Sequence, residues 1–474
     1  MVSYEALDSH ETMHWFQHNG TTIGVFLSLL RYSQQRTAIN FMHKINKKER
    51  KMLFDNRNEK KRQPIVAIDT KGDLLYDNNL ENRDLIIYPQ IWYDHQFVYS
   101  LLEHSHNQDT VRHVPRGQVF GEIVGDTILY FCEATGIEYP GHQYARSLYQ
   151  FKDDKVFFVK EDSQRITTRS LFEGVASANE LSLLVLRGAP DSIVNKVKSN
   201  LFSGTYGVGI NAFMRRLNIS QPELMKFIPT FNVLCDIALN PPLPPFFINA
   251  PLGRASWDWV EIYPPLRFLQ LIQQVPKLGY LPSGASHDLI NNYVNSLCDL
   301  LNWPSPTSYK FMFTKDNGLK QFPDAVSKTK TKISNIDLDY YHYLLWVQAN
   351  IWEQRKDKLP FFTNMAECKC DSKLFMHFWD LIKIPGYLNE WGDAPFRIVS
   401  SANKAGFMFD SKKFNQWLFI SSCFHNMLFD LMTGSGKIDF SSYGPLATRN
   451  IGLVNSVIAS LSETFDYEFS ANIV

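Results

Sequence analysis

The run Asn240-Pro241-Pro242-Leu243-Pro244-Pro245, with Pro251 close behind, constrains the fold more than any other part of this chain. Proline has no N–H for a helix or strand ladder and fixes its own φ. No regular element can pass through such a stretch, which is therefore a stiff connection. Phe246, Phe247 and Ile248 follow directly and are too apolar for a solvated linker. The expectation is a strap packed on the body. It borders a mixed α/β N-terminal region, 1–240, and a helical C-terminal region, 241–474.

Apolar periodicity describes both sides. Residues 4–45 read as two helical pieces broken near Asn19-Gly20, with Leu27, Leu30, Ala38, Phe41 and Ile45 roughly on one face. Extended patterns follow in three places. Ile65, Val66 and Ile68 pair with Leu74, Leu75 and Tyr76 around Thr70-Lys71-Gly72-Asp73. Residues 119–132 are apolar but interrupted by Gly121 and Gly125, and residues 151–166 turn at Lys152-Asp153-Asp154-Lys155. Helical patterns then dominate, over 171–186, 191–201, 265–275, 287–301, 337–355, 372–382, 411–432 and 448–465. Ser220-Gln221-Pro222-Glu223 has the form of a capping box opening another helix, which Pro229 should kink or divide. The fold expected is α+β: predominantly α-helical, with short antiparallel β-hairpins concentrated in the first third.

The 474 residues carry 48 Lys+Arg and 48 Asp+Glu, so a chain-wide basic field for nucleic acid is excluded. Hydrophobic residues at 45% and charged residues at 20% exclude bulk disorder. Thirty-five Phe, 21 Tyr and 10 Trp supply unusual packing area, and self-association in a large assembly is one use for it. Six cysteines form no dense framework, the N-terminus shows no secretory pattern, and no apolar run reaches membrane-spanning length. The expectation is a cytoplasmic protein with no membrane partner.

One motif carries specific chemistry. His10-Glu11-Thr12-Met13-His14 satisfies H-E-x-x-H. On a helix, residues four apart share a face, so two imidazoles can hold one zinc while the glutamate beside them handles a proton. The motif resembles that of the zincin metallopeptidases. The extended form with a third histidine is absent, because Gln17 and Gly20 occupy the required positions. Leu171-Phe172-Glu173-Gly174-Val175-Ala176 resembles the segment from which the gluzincin branch draws a third ligand, with Gly174 and Ala176 small enough for close packing on the motif helix. The resemblance implies a zinc-dependent hydrolase acting on a protein or peptide, with His10, His14 and Glu173 as metal ligands and Glu11 as catalytic general base. The competing reading is a polar first helix with surface histidines and a Glu173 that caps its own helix.

Weaker candidates remain. Asp94, His95, Glu103, His104, His106, Asp109 and His113 form a second cluster, in which His104 and His106 could share a metal if on a strand; it resembles the H-x-H-x-D-H of metallo-β-lactamase-like hydrolases only loosely, because Asp109 is one place late and no histidine directly follows it, and the competing reading is a polar loop. Cys368-Lys369-Cys370 and Cys423-Phe424-His425 each leave one residue between ligands, where structural zinc sites prefer two to four. Residues 44–62 hold nine Lys/Arg; Lys47, Lys48, Lys60 and Lys61 are the candidate contacts to RNA or DNA phosphates. The alternative function is a structural or assembly subunit, contacting nucleic acid through this strip.

Overall fold

In the computed structural model, the described residues are 2–44, 84–103, 116–149, 151, 159–161, 164–248, 256–312, 336–355 and 358–370, with short pieces at 67–68, 74–75, 386–387, 396–397 and 459. They form an α-helical protein, with 78% of the interpretable residues in helices. The expected α+β class is therefore wrong. Among the described residues, β pairing is limited to two- and three-residue ladders, such as Ala67–Ile68 with Leu74–Leu75 and Val159–Glu161 with Gln164–Ile166. These are too short to make a layer. The expected strand at 119–132 lies inside helix Arg116–Thr135. Its buried residues Val119, Phe120, Ile123, Val124, Thr127, Ile128 and Phe131 recur in pairs four apart, which is a helical period.

Helices are numbered here in chain order. Helix α1 (Val2–Gly20) and helix α2 (Thr22–Lys44) make the expected pair broken at Gly20. Helices α3 (Asp84–Glu103) and α4 (Arg116–Thr135) pack on α2, and α5 (His142–Tyr149) packs on α4. The centre is α6 (Thr168–Leu186), which meets α1, α7 (Asp191–Leu201), α8 (Gly204–Arg216) and α9 (Leu224–Ala238). Thr167 starts α6 with a capping box: its hydroxyl accepts from Ser170 N, and Ser170 Oγ accepts from Thr167 N, both at 2.9 Å. Beyond the proline strap come α10 (Trp259–Ile262), α11 (Pro264–Ile272), α12 (Val275–Leu278), α13 (His287–Leu300), α14 (Ile336–Arg355), α15 (Leu359–Thr363) and α16 (Met365–Cys370).

Two details at the start of α9 differ from expectation. Ser220 donates to the Glu223 carboxylate at 2.6 Å instead of capping a backbone N–H, and a 3-10 turn over Gln221–Glu223 precedes the helix. Helix α9 also runs through Pro229, which is buried with Ile228 and Phe231. Packing of that apolar face holds the helix where the backbone alone would break it.

The strap is buried from Asn240 to Phe246, and it serves as a hydrogen-bonding rail. Thr22 Oγ1 donates to Pro241 O at 2.6 Å, Tyr149 Oη to Pro242 O at 2.8 Å, and Met312 N to Pro245 O at 2.8 Å. The α1–α2 break is satisfied from this side too. Thr22 N donates to Asn240 Oδ1 at 2.9 Å, and Arg355 Nη1 donates to Gly20 O at 3.0 Å. A side chain on Gly24 would lie 2.3 Å from Gln17 O, so only glycine allows α2 to cross the end of α1 so closely.

Arg355 also pairs with Asp236, and both side chains are 5% exposed. A buried charge left without its partner costs far more than a matched apolar pair does. Asp236→Ala should therefore destabilise the fold by about 3–5 kcal/mol in denaturant titration. Asp236→Leu combined with Arg355→Met should cost clearly less than the single change. Equal losses would mean that the ion pair is not what holds this junction.

Candidate metal centre

Helices α1 and α6 pack antiparallel, and their cross-contacts run in opposite chain directions. Glu5 pairs with Arg187 at 3.7 Å, His10 with Glu180 at 3.1 Å, and His14 with Glu173 at 3.1 Å, while Gln17 Nε2 donates to Phe172 O at 3.0 Å. The motif helix therefore lies along the face of α6 that carries Glu173 and, seven residues on, Glu180. That interval is about two turns, so the two carboxylates share the face.

His10, His14 and Glu173 converge, and among the described residues they are the one group of three or more His, Cys, Asp or Glu placed to hold a metal ion. His10 Nε2 and His14 Nε2 are 3.1 Å apart, His14 Nε2 and Glu173 Oε2 3.1 Å, and His10 Nε2 and Glu173 Oε2 3.6 Å. Zinc bonds of 2.0–2.2 Å at tetrahedral angles put neighbouring donors about 3.4 Å apart. The three distances straddle that value, so the donor set fits a four-coordinate zinc with one position left over.

Both imidazoles are held from behind. Glu180 Oε2 lies 3.1 Å from His10 Nδ1; an ionised carboxylate only accepts, so that nitrogen carries the proton. Gln17 Oε1 lies 3.1 Å from His14 Nδ1, while the Gln17 amide nitrogen is committed to Phe172 O. Gln17 therefore accepts from His14 as well. Each ring presents Nε2 to the shared centre, as metal-binding histidines with an outer hydrogen-bond partner do.

Electrostatics tie the group together before any ion arrives. Burial alone would lower the pKa of His10. Hydrogen bonds to Glu173 and Glu180, with the charges of Glu180 and Glu11, outweigh burial and hold it up at about 9. Burial likewise opposes ionisation of Glu173, but hydrogen bonds from His10 and His14 hold its carboxyl well below the usual carboxylate range. On the solvent side stand Tyr206, 38% exposed with its ring 6.1 Å from that of His10, and Arg169, whose Nε is 3.7 Å from Glu173 Oε1. Glu11 is half-buried and acts on both His10 and Tyr206.

Comparison with protein-family models, curated proteins and solved structures finds no match to this chain.

The competing reading of surface histidines does not describe His10, which is 8% exposed. Glu173 does not cap α6; it sits in the second turn, with Thr167 in the capping role. Gly174 makes room for Phe231 and the Tyr206 carbonyl rather than for the motif helix. His18 lies outside the donor group, with its ring 5.1 Å from Phe172. His95 is fully buried, within hydrogen-bond distance of Ser33 Oγ at 2.6 Å and the Ile91 carbonyl at 2.7 Å, as a packed core histidine is. His104, His106, Asp109 and His113 lie outside the described residues, as do Cys423, His425 and the basic strip with Lys47, Lys48, Lys60 and Lys61. Glu180 and Gln17 were missed as site residues. Glu180 is legible only once the helical face of Glu173 is drawn, and Gln17 only by its place three residues after His14.

Two outcomes follow for the chelator-treated, metal-free protein. The raised pKa of His10 means that its contribution to stability is complete below about pH 6.5 and is lost as pH rises through about 9. The lowered pKa of Glu173 means that its contribution is present above about pH 4.5 and is lost in stronger acid. Melting temperature should therefore fall between pH 6.5 and 9, and His10→Asn should flatten that limb; an unchanged slope would contradict the pairing. Separately, Glu180→Gln should weaken zinc binding about 10–100-fold by competition with a chromophoric chelator, with the helical circular dichroism retained. Wild-type affinity in this variant would remove Glu180 from the site.

Proposed function

We propose that this chain is a zinc-dependent hydrolase, with His10, His14 and Glu173 as metal ligands and Glu11 as general base. The observation that carries the reading is the meeting of a carboxylate 159 residues downstream of His14 with both imidazoles of an H-E-x-x-H helix, at 3.1 and 3.6 Å. Any one of the three residues has ordinary explanations. Three donors at zinc-ligand spacing, with both rings fixed by outer partners, have fewer.

Zinc, when bound, supplies Lewis acidity to a carbonyl oxygen and acidifies a neighbouring water. The chain does the rest. Glu180 and Gln17 keep the imidazole protons on the outer nitrogens. Glu11, beside His10 on the same helix and half-buried, takes a proton from the attacking water and returns it to the leaving nitrogen. The motif resemblance favours an amide bond in a protein or peptide.

The test separates metal binding from chemistry. The protein purified without chelator should hold about one zinc per chain and cleave an internally quenched peptide mixture. Glu11→Gln should keep the zinc while lowering turnover about 10²–10⁴-fold. Less than about a tenth of a zinc per chain, or full activity in Glu11→Gln, would refute the proposal.

A further inference from the structure

One cation on the open side of the centre has no part in the hydrolase reading. Glu11, Glu173 and Glu180 surround His10, and all three act on Tyr206. Such a mouth repels anions. Arg169 is set into it: its guanidinium pairs with Glu173 through Nε at 3.7 Å, and its side chain is 49% exposed. It also acts electrostatically on Tyr206. Arg169 is the second residue of α6 and Tyr206 the third of α8, so both project from first turns, where the helix dipole is positive.

A pair made only to steady Glu173 does not need arginine at this exposure. Glu173 already accepts from the two imidazoles. A guanidinium carries five N–H donors in a planar fork, and the pair to Glu173 engages Nε. The two Nη groups can grip a second carboxylate end-on without releasing the first.

We propose that Arg169 is a specificity-determining residue that receives a substrate carboxylate next to the bond placed at the His10–His14–Glu173 centre, so the preferred substrates are acidic. The inference rests on the zinc reading and adds a substrate class to it. An anionic group one residue's length from the reacting carbonyl meets Arg169, while Glu11 remains at the carbonyl. Basic substrates meet Arg169 instead of a carboxylate and are disfavoured.

Two small zinc-directed probes test this on the full-length, zinc-loaded protein by calorimetry: acetohydroxamic acid, and the monohydroxamate of succinic acid, which adds one carboxylate. Wild type should bind the carboxylate probe about tenfold more tightly than the neutral one. Arg169→Gln should reduce that preference to about twofold or less, with zinc content and affinity for acetohydroxamic acid unchanged. Raising NaCl from about 0.05 to 0.5 M should erode the wild-type preference, and this measurement needs no variant. A wild type with no preference, a preference kept in Arg169→Gln, or one indifferent to salt would overturn the assignment while leaving the zinc centre standing. Failure of both probes to bind would instead remove the zinc reading, and this inference with it.

Discussion

A histidine ring buried between two carboxylates is the contact on which this molecule's account depends. His10 is 8% exposed and lies between Glu173 and Glu180, with His14 against the same carboxylate. Ionised groups out of water are tolerated only when paired and hydrogen-bonded. The cluster therefore binds α1 to α6 strongly in one register, and sliding either helix by a turn would strand a carboxylate. The same pairing that locks the helices also gathers three donors at a spacing suited to one divalent ion.

The surrounding fold protects that register. Arg355 holds the last carbonyl of α1, Asp236 holds Arg355, and Asn240 at the head of the proline strap holds the first amide of α2. Arg267, fully buried, donates to Ile237 O at 3.0 Å and Asn240 O at 3.3 Å, closing the end of α9 beneath the strap. Buried cations thus satisfy carbonyl groups that helix ends leave unpaired. Residues on both sides of the prolines share one apolar core. The segment that interrupts regular structure in the sequence is an organising rail in space.

The sequence revealed some of this for physical reasons. The α1–α2 break was legible in Asn19-Gly20, and helix Asp191–Leu201 in its helical pattern. The meeting of His10, His14 and Glu173 was legible because two imidazoles sit one turn apart and the carboxylate stands in a recognisable segment. The fold class was not. In residues 119–132, aromatic and β-branched residues and two glycines suggested strand, and that composition hid a four-residue recurrence. Gly125 is there because the ring of His142 occupies the space, with its Cδ2 2.7 Å from where a Cβ would stand. That reason is tertiary and leaves no local trace. Glu180, Gln17 and Arg169 were invisible for a similar reason, since each earns its role only from the way α1 and α6 lie against each other.

X-ray absorption at the zinc edge of the metal-loaded protein tests the central claim most directly. The zinc should be four-coordinate, with two imidazole nitrogens and light oxygen neighbours at about 2.0–2.2 Å, and one imidazole contribution should be lost in His14→Asn. A sulfur shell, a hydrated ion with no imidazole, or a spectrum indifferent to that substitution would contradict it.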